Sequence, residues 1–581
     1  MSNWTAKNLK VCAGVCALLL TWGTAATAAE TKAPLLLAYF IPTDREAIPG
    51  YVERIDRVMT EVRRFYREGM QANGYGPMTF DLERDDQGGL IVHVVRAAHS
   101  MRTYGRDSSG EVRDEVKAAL DRKGLNVDRR TMVIFQVLLE WRDGRAIEVG
   151  SYVGGGSHLA GTAWVYDDPL LDPRRLGSTE PGGFYMKPVS IGQFNTHYIG
   201  GVAHELGHAF GLPHVAGPKS IAKHSLMGDG NHTYGEELRG QGAGTYLHPA
   251  SAMLLARSRP FAGRLPDANA RSVSECTDLQ ASFRDGQLML KGTFDSTPPA
   301  FGIIAYNDQV AIPADYDATG WVSPVDAAGA FRLAIGDLEP GEYELRLQVC
   351  HTNGAASTST YHYRVGADGV PDLKPFARSF LVLGQAVRAY GAGSLRRAAT
   401  LLDELDRDTE AGPELRRQAR HLRELLQPRP LESLTAFPAE QVRAEVSRLE
   451  FAEASVGWGA PLRDQVLPEG GGTCFLVVDG TFHERGLFAH APARHVLDLS
   501  GSGWKRFKSG YGLQDGHGGS VVFAVRGDGR ELFRSAKTTE RRLAEMEVDI
   551  TGIKRLELLV EDAGDGTGSD WGVWIEPTLQ R

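Results

Sequence analysis

Three histidines and a glutamate stand close together in His204-Glu205-Leu206-Gly207-His208-Ala209-Phe210-Gly211-Leu212-Pro213-His214. The residues before them, Phe194 to Ala203, can carry a helix. If the helix runs on, positions 204 and 208 fall on one face, a turn apart. Two imidazoles so placed can grip one Zn²⁺ at about 2.0–2.1 Å each. Glu205 follows the first ligand and can lie beside the metal's open position. The helix must stop before the third ligand. Gly211 can take a positive φ and turn the chain, and Pro213 prevents the helix from resuming. His214 then swings back to complete a three-histidine site. Three protein ligands leave a fourth position for water, the arrangement of a catalytic rather than a structural zinc. The plainer alternative is a helix carrying surface histidines, which no structural rule ties to this spacing.

The elements that must hold this segment can be read upstream. Residues 34–40, PLLLAYF, are a buried-strand pattern. Val52, Ile55, Val58, Met59, Val62, Phe65, Tyr66 and Met70 recur every three or four residues, which predicts a long amphipathic helix with its Met and aromatic stripe in the core. Strands are expected near 79–84, 90–96 and 131–140, with a helix near 110–122 between the last two. Alternating strands and helices predict an α/β layer. A glycine run, Gly154-Gly155-Gly156, leads to Leu159–Tyr166, read here as the edge strand.

The segment from His204 to His214 resembles the extended zinc motif of the metzincin metallopeptidases. The resemblance covers residues 31 to about 262 and implies an α/β metzincin-like catalytic domain with one catalytic Zn²⁺. It implies His204, His208 and His214 as metal ligands and Glu205 as the catalytic residue. That family has a methionine turn beneath the zinc. Met227, in Ser225-Leu226-Met227-Gly228, is the structural match, although on the residues alone it is equally a core methionine. Two features depart from the pattern. Some metzincins place a tyrosine two residues after that methionine, where this chain has Asp229, and the nearest tyrosine is Tyr234. No cysteine-bearing propeptide precedes the first strand. His197, two turns before His204, is expected to be structural, and His224 and His232 are candidate supports or substrate contacts. Asp167 and Asp168 are candidate Ca²⁺ ligands, set against an ordinary solvated acidic loop.

The implied activity is peptide-bond hydrolysis. Zinc lowers the pKa of water toward about 7 and polarises the scissile carbonyl. Glu205 takes the proton as general base and later delivers it to the leaving amine. Substrate is expected to lie extended beside Ala160–Val165 by strand addition.

Beyond the catalytic domain the texture changes. From 268 to 368, short runs such as LMLKGTF and YELRLQVC alternate with Gly, Pro and Asp turns, the pattern of an all-β, Ig-like sandwich. Residues 374–427 predict a helix pair acting as a connector, ended by Pro428-Arg429-Pro430. A second β-rich unit closes the chain. Its Gly486-Leu487-Phe488-Ala489-His490-Ala491, Gly519–Phe523 and Asp570-Trp571 segments are similar to the NPCBM family of carbohydrate-binding modules. That resemblance implies a galactose-binding-like β-sandwich. Trp458, Trp504, Trp571 and Trp574 lie in it, either as sugar-stacking faces or as core, so its carbohydrate-binding residues stay unassigned. The expected units are 1–29, a signal peptide; 30–265, the zinc peptidase domain; 266–370, a β-sandwich; 371–432, a helical connector; and 433–581, the NPCBM-like sandwich.

Composition limits the alternatives. A chain of 581 residues should hold about three to five units. A net charge of −9 argues against nucleic acid as the main partner. Lys7 and Lys10, the apolar run Val11–Trp22 and Ala26-Thr27-Ala28 form a secretory signal peptide cleaved near 28–29. The expected location is therefore secreted or periplasmic, without a membrane span. Of five cysteines, Cys12 and Cys16 leave with the signal. Cys276 and Cys350 bracket one β unit and are expected to form a disulfide, while Cys474 sits in a buried-strand pattern as an inert thiol. The expected function is a secreted zinc endopeptidase acting on protein or glycoprotein substrates, with a glycan ligand at the C-terminal module. The competing function is a glycan-binding adhesin or surface protein with an inactive peptidase domain.

Overall fold

The computed structural model describes residues 32–581 apart from Met186, 311–317, Glu410, 428–429, 435–437, Ala439 and 469–472. The expected signal peptide lies outside the described residues, as do Pro428 and Arg429.

The first unit is built on strand β1 (Leu36–Ile41), buried at every position. Helix α1 (Tyr51–Ala72) follows and buries Ile55, Val58, Met59, Val62, Tyr66 and Met70, the stripe its periodicity predicts. Then come β2 (His93–Arg96), α2 (Ser109–Asp121) and β3 (Thr131–Gln136). After them run β4 (Leu139–Arg142), β5 (Arg145–Glu148), β6 (Val153–Gly156) and β7 (Gly161–Tyr166). Strands β8 (Pro181–Tyr185) and β9 (Lys187–Ser190) lead into helix α3 (Ile191–Ala209). The main sheet has the order β2-β1-β3-β7-β6. Its first four strands are parallel, with α1 and α2 as crossovers, and β6 alone runs antiparallel, against β7.

This order corrects the expected edge. Residues 161–166 are an interior strand, and the glycine run Val153–Gly156 is the edge. The reason is steric. Strand β6 lies directly against α3, where a Cβ on Gly154 would stand 1.9 Å from the Glu205 carbonyl oxygen. Only a strand without side chains can approach the helix this closely. The strand expected over 79–84 is reduced to isolated bridges, Leu35 with Leu82 and Arg84 with Leu90.

The β-sandwich follows as β10 (Val273–Arg284), β11 (Gln287–Thr297), β12 (Ala300–Gln309), β13 (Thr319–Pro324), β14 (Ala330–Ile335), β15 (Gly341–His351) and β16 (Ala356–Val365). One sheet is β10-β11-β14 and the other β13-β12-β15-β16. The expected disulfide does not form: Cys276 and Cys350 are both free and buried. Cys276 pairs with Phe294 in the first sheet, and Cys350 is on β15 in the second. Side chains alternate along a strand. Val349 faces the sandwich interior, so Cys350 faces the other way and joins the core of the first unit, whereas Cys276 packs inside the sandwich.

The connector is three helices rather than two, Arg378–Gly391, Leu395–Arg407 and Pro413–Leu425. It shares a core with Cys474, Phe475 and Phe482 of the last unit, so it is packed onto that unit rather than spanning a gap. The thiol of Cys474 is fully buried, as its strand pattern predicts. The last unit is a β-sandwich of two five-stranded sheets around Trp574, Phe507, Phe523 and Leu558. Among the described residues no helix is long and apolar enough to cross a membrane.

Candidate metal centre

Helix α3 carries the first two histidines. Its start is fixed by a reciprocal cap: the Gln193 N–H donates to the Ser190 hydroxyl at 3.1 Å, and the Ser190 N–H donates to the Gln193 side chain at 2.9 Å. Its end is equally defined. The Leu212 N–H reaches the Gly207 carbonyl at 3.0 Å and the Gly211 N–H the His208 carbonyl at 2.9 Å. Gly211 sits at φ +85°. This is a Schellman turn, and it needs the glycine. Pro213 then turns the chain so that His214 comes back toward the helix.

The three imidazoles converge. Nε2 of His208 lies 3.1 Å from Nε2 of His204 and 2.9 Å from Nε2 of His214. All three rings present one nitrogen within 4.8 Å of the others. Their orientation is set from behind. Nδ1–H of His204 donates to the Leu226 carbonyl at 2.7 Å, and Nδ1–H of His208 donates to the Leu212 carbonyl at 2.9 Å. A carbonyl can only accept, so in both rings the proton is on Nδ1 and Nε2 carries a lone pair. Burial holds His204 down to about 3 and also lowers His208, which keeps both rings neutral. Lone pairs aimed at one another at about 3 Å repel unless a cation sits between them. The donor set, neutral imidazoles braced by carbonyls with no carboxylate in the ring of ligands, suits Zn²⁺.

Glu205 lies one residue on, with Gly154 of the edge strand against it. Burial pushes its carboxyl up to about 8, while the Gly154 backbone pulls the other way. Met227 lies beneath the site, fully buried. A Cβ on Gly207 would meet its Sδ at 2.4 Å, so the glycine between the ligands makes room for the methionine. The Met227 carbonyl accepts from the Val215 N–H at 3.0 Å, which ties this turn to the residue after the third histidine.

Other expected residues fall elsewhere. Tyr234 is buried with its hydroxyl on Glu61 at 2.8 Å, away from the ligand cluster. Asp229 pairs with the half-exposed His224 at 2.8 Å. His232 stacks on His197 with ring centres 5.3 Å apart, and His197 approaches Glu148 at 3.8 Å. Asp167 and Asp168 are neither solvated nor arranged for Ca²⁺. Both are buried, with Asp167 held by Arg54 at 2.6 Å and by the Tyr39 hydroxyl at 2.7 Å, and Asp168 held by Trp141 at 2.7 Å.

In the last unit, three of the four tryptophans are buried and Trp458 is 43% exposed. Trp458 lies 6.0 Å from Trp571, and His517 stacks flat on Trp571 at 3.8 Å. Beside them Asp570 is buried with Oδ2 unpartnered. This group was not assigned from sequence. Its members come from separate segments, with Trp571 opening a strand, and the Trp458 and Asp570-Trp571 segments carry no mark in sequence that they meet.

Residues 443–580 match the NPCBM/NEW2 domain family. Wild-type OgpA from Akkermansia muciniphila is similar, at 23% identity over 58% of this chain and 95% of its own, with a TM-score of 0.50. Catalytically inactive OgpA, solved with the O-glycopeptide substrate glycodrosocin, gives 23%, 58%, 94% and 0.49. The CBM51 module from Clostridium perfringens GH95, solved with methyl-galactose, is 27% identical over 24% of this chain and 99% of its own, with a TM-score of 0.22. No curated protein matches. The C-terminal unit is thus an NPCBM/NEW2 domain, and the likeness to OgpA is one of fold.

Proposed function

We propose that the chain is a zinc-dependent endopeptidase of the metzincin type, exported from the cell and directed to glycoproteins by its NPCBM/NEW2 domain. One observation carries this reading: three imidazoles bring their Nε2 atoms together, two of them held neutral by burial, with Glu205 next to the first and an open edge strand alongside. Zinc bound by His204, His208 and His214 would supply the Lewis acidity that activates water and polarises a peptide carbonyl. Glu205 takes the proton from the attacking water on its carboxylate and hands it to the departing amine. Strand β6 offers its free edge to an extended substrate, and its glycines leave the backbone groups accessible. Strand addition therefore takes place along Val153–Gly156 rather than along Ala160–Val165.

Glycoprotein substrates fit the pairing of this cleft with a carbohydrate-binding domain. Trp458, backed by Trp571 and the His517 ring stacked on it, supplies an exposed stacking face for a sugar. The test is digestion of a peptide library and an O-glycopeptide library with and without a chelator. Chelator-sensitive cleavage supports the reading, and no cleavage of either library removes it in favour of a glycan-binding protein.

A further inference from the structure

The β-sandwich at 273–365 carries no catalytic motif in its sequence, and its role shows in its contacts. Ala216 lies two residues after His214, and its N–H donates to the Ala318 carbonyl at 2.9 Å. Its own carbonyl accepts from the Gly320 N–H at 3.1 Å. The segment that brings the third histidine into the site is thereby paired, in a parallel bridge with Thr319, to strand β13 of the sandwich. Three residues further on, the Lys219 N–H donates to Asp337 at 2.8 Å, a second anchor on the same sandwich. The approach is close. A Cβ on Gly320 would stand 2.4 Å from Cγ2 of Val215 and 2.5 Å from the ring of His248.

The same sandwich also packs against the turn that follows β6. The turn between β6 and β7 carries His158, and a Cβ on Gly354, in the turn between β15 and β16, would meet its Cδ2 at 2.8 Å. The two units also share an apolar core. Ile304, Tyr306, Ala318 and Cys350 of the sandwich belong to the same buried cluster as the core beneath α3.

We propose that the sandwich is a positioning element of the metal centre, with β13 fixing the loop that carries His214. The backbones of His204 and His208 belong to helix α3. His214 follows a helix stop and has no regular element of its own, so its loop depends on pairing at Ala216 and on the Met227 carbonyl at Val215. A ligand held on a loop is only as well placed as the groups that hydrogen-bond that loop, and such outer supports are worth about 10–100-fold in metal affinity. This inference rests on the assignment of the three histidines to zinc, but not on peptidase activity.

The experiment measures zinc affinity by competition with a chelator, and the visible spectrum of the Co²⁺-loaded full chain, in two variants. Gly320→Ala drives a methyl into Val215 and pushes β13 off Ala216. Asp337→Gly removes the acceptor of the Lys219 N–H, leaving the Lys219–Glu339 ion pair, while tolerating the positive φ of that position, +55°. Circular dichroism of the metal-free protein checks that each is folded. The expected result is a loss of zinc affinity of at least about tenfold for Gly320→Ala, a smaller loss for Asp337→Gly, and an altered Co²⁺ spectrum in the first. If Gly320→Ala does not fold, the affinity of Asp337→Gly decides. Wild-type affinity and an unchanged Co²⁺ spectrum in the folded variants would overturn the proposal. A wild-type chain that binds zinc but cleaves no peptide would remove the proposed function and leave this inference standing.

Discussion

Met227 occupies the space that a side chain at Gly207 would need, with its Sδ 2.4 Å from where that Cβ would be. The glycine lies between the two histidines of one helical turn, so the methionine can press against the backbone directly under the ligands. Gly207→Ala therefore trades a small gain in helix propensity for overpacking. The expected cost is about 1–3 kcal/mol of stability, read from urea unfolding. A Gly207→Ala chain as stable as wild type would mean that Met227 does not bear on α3.

His214 is the one of the three histidines outside helix α3, and its loss should show first in metal content. His214→Ala is expected to purify with little zinc, while its metal-free fold stays intact. For the wild type, zinc at a hundred times its Kd should add about 2.7 kcal/mol to unfolding, lost again on chelation. A melting temperature that does not respond to chelator would show that no ion is bound at the cluster.

The free thiols make a prediction opposite to the one the proposed export suggests. Cys276, Cys350 and Cys474 are all buried and unpaired. Titration of the denatured protein lacking residues 1–29 should find three reactive thiols, and reductant should leave its stability unchanged. Cys350→Ala should destabilise more than an exposed substitution would, because that thiol packs into the core beneath the metal site.

Trp458 is the exposed member of the aromatic group in the NPCBM/NEW2 domain. Trp458→Ala should remove most glycan binding on an array while leaving the cleavage of an unglycosylated peptide unchanged. Retained binding would place the sugar elsewhere on the domain.

Much of the catalytic unit was legible in the sequence because its signals are local. The 3.6-residue stripe of α1, the apolar run of β1 and the His204–His214 spacing each need only neighbouring residues. What failed depends on distant partners. Gly154 and Gly156 give no sign of a strand until α3 is laid across them, and only then is it clear why a side chain cannot be at either position. The pairing of Cys276 with Cys350 was read from their positions at the two ends of one β unit, but the alternation along β15 decides which core each thiol enters. Asp167 and Asp168 carry no sequence mark that Arg54 and Trp141, far away in the chain, will claim them. The sandwich's grip on Ala216 is likewise a contact between segments about a hundred residues apart, beyond any periodic pattern.

The central claim is that three imidazoles hold one zinc ion and Glu205 moves the proton. It is tested most directly by measuring zinc content and peptide cleavage side by side in the wild type and in Glu205→Gln. The account predicts one zinc per chain in both proteins and a fall in cleavage of at least about 100-fold in the variant. Equal cleavage by the two proteins, or a wild type that cleaves without zinc, would contradict it.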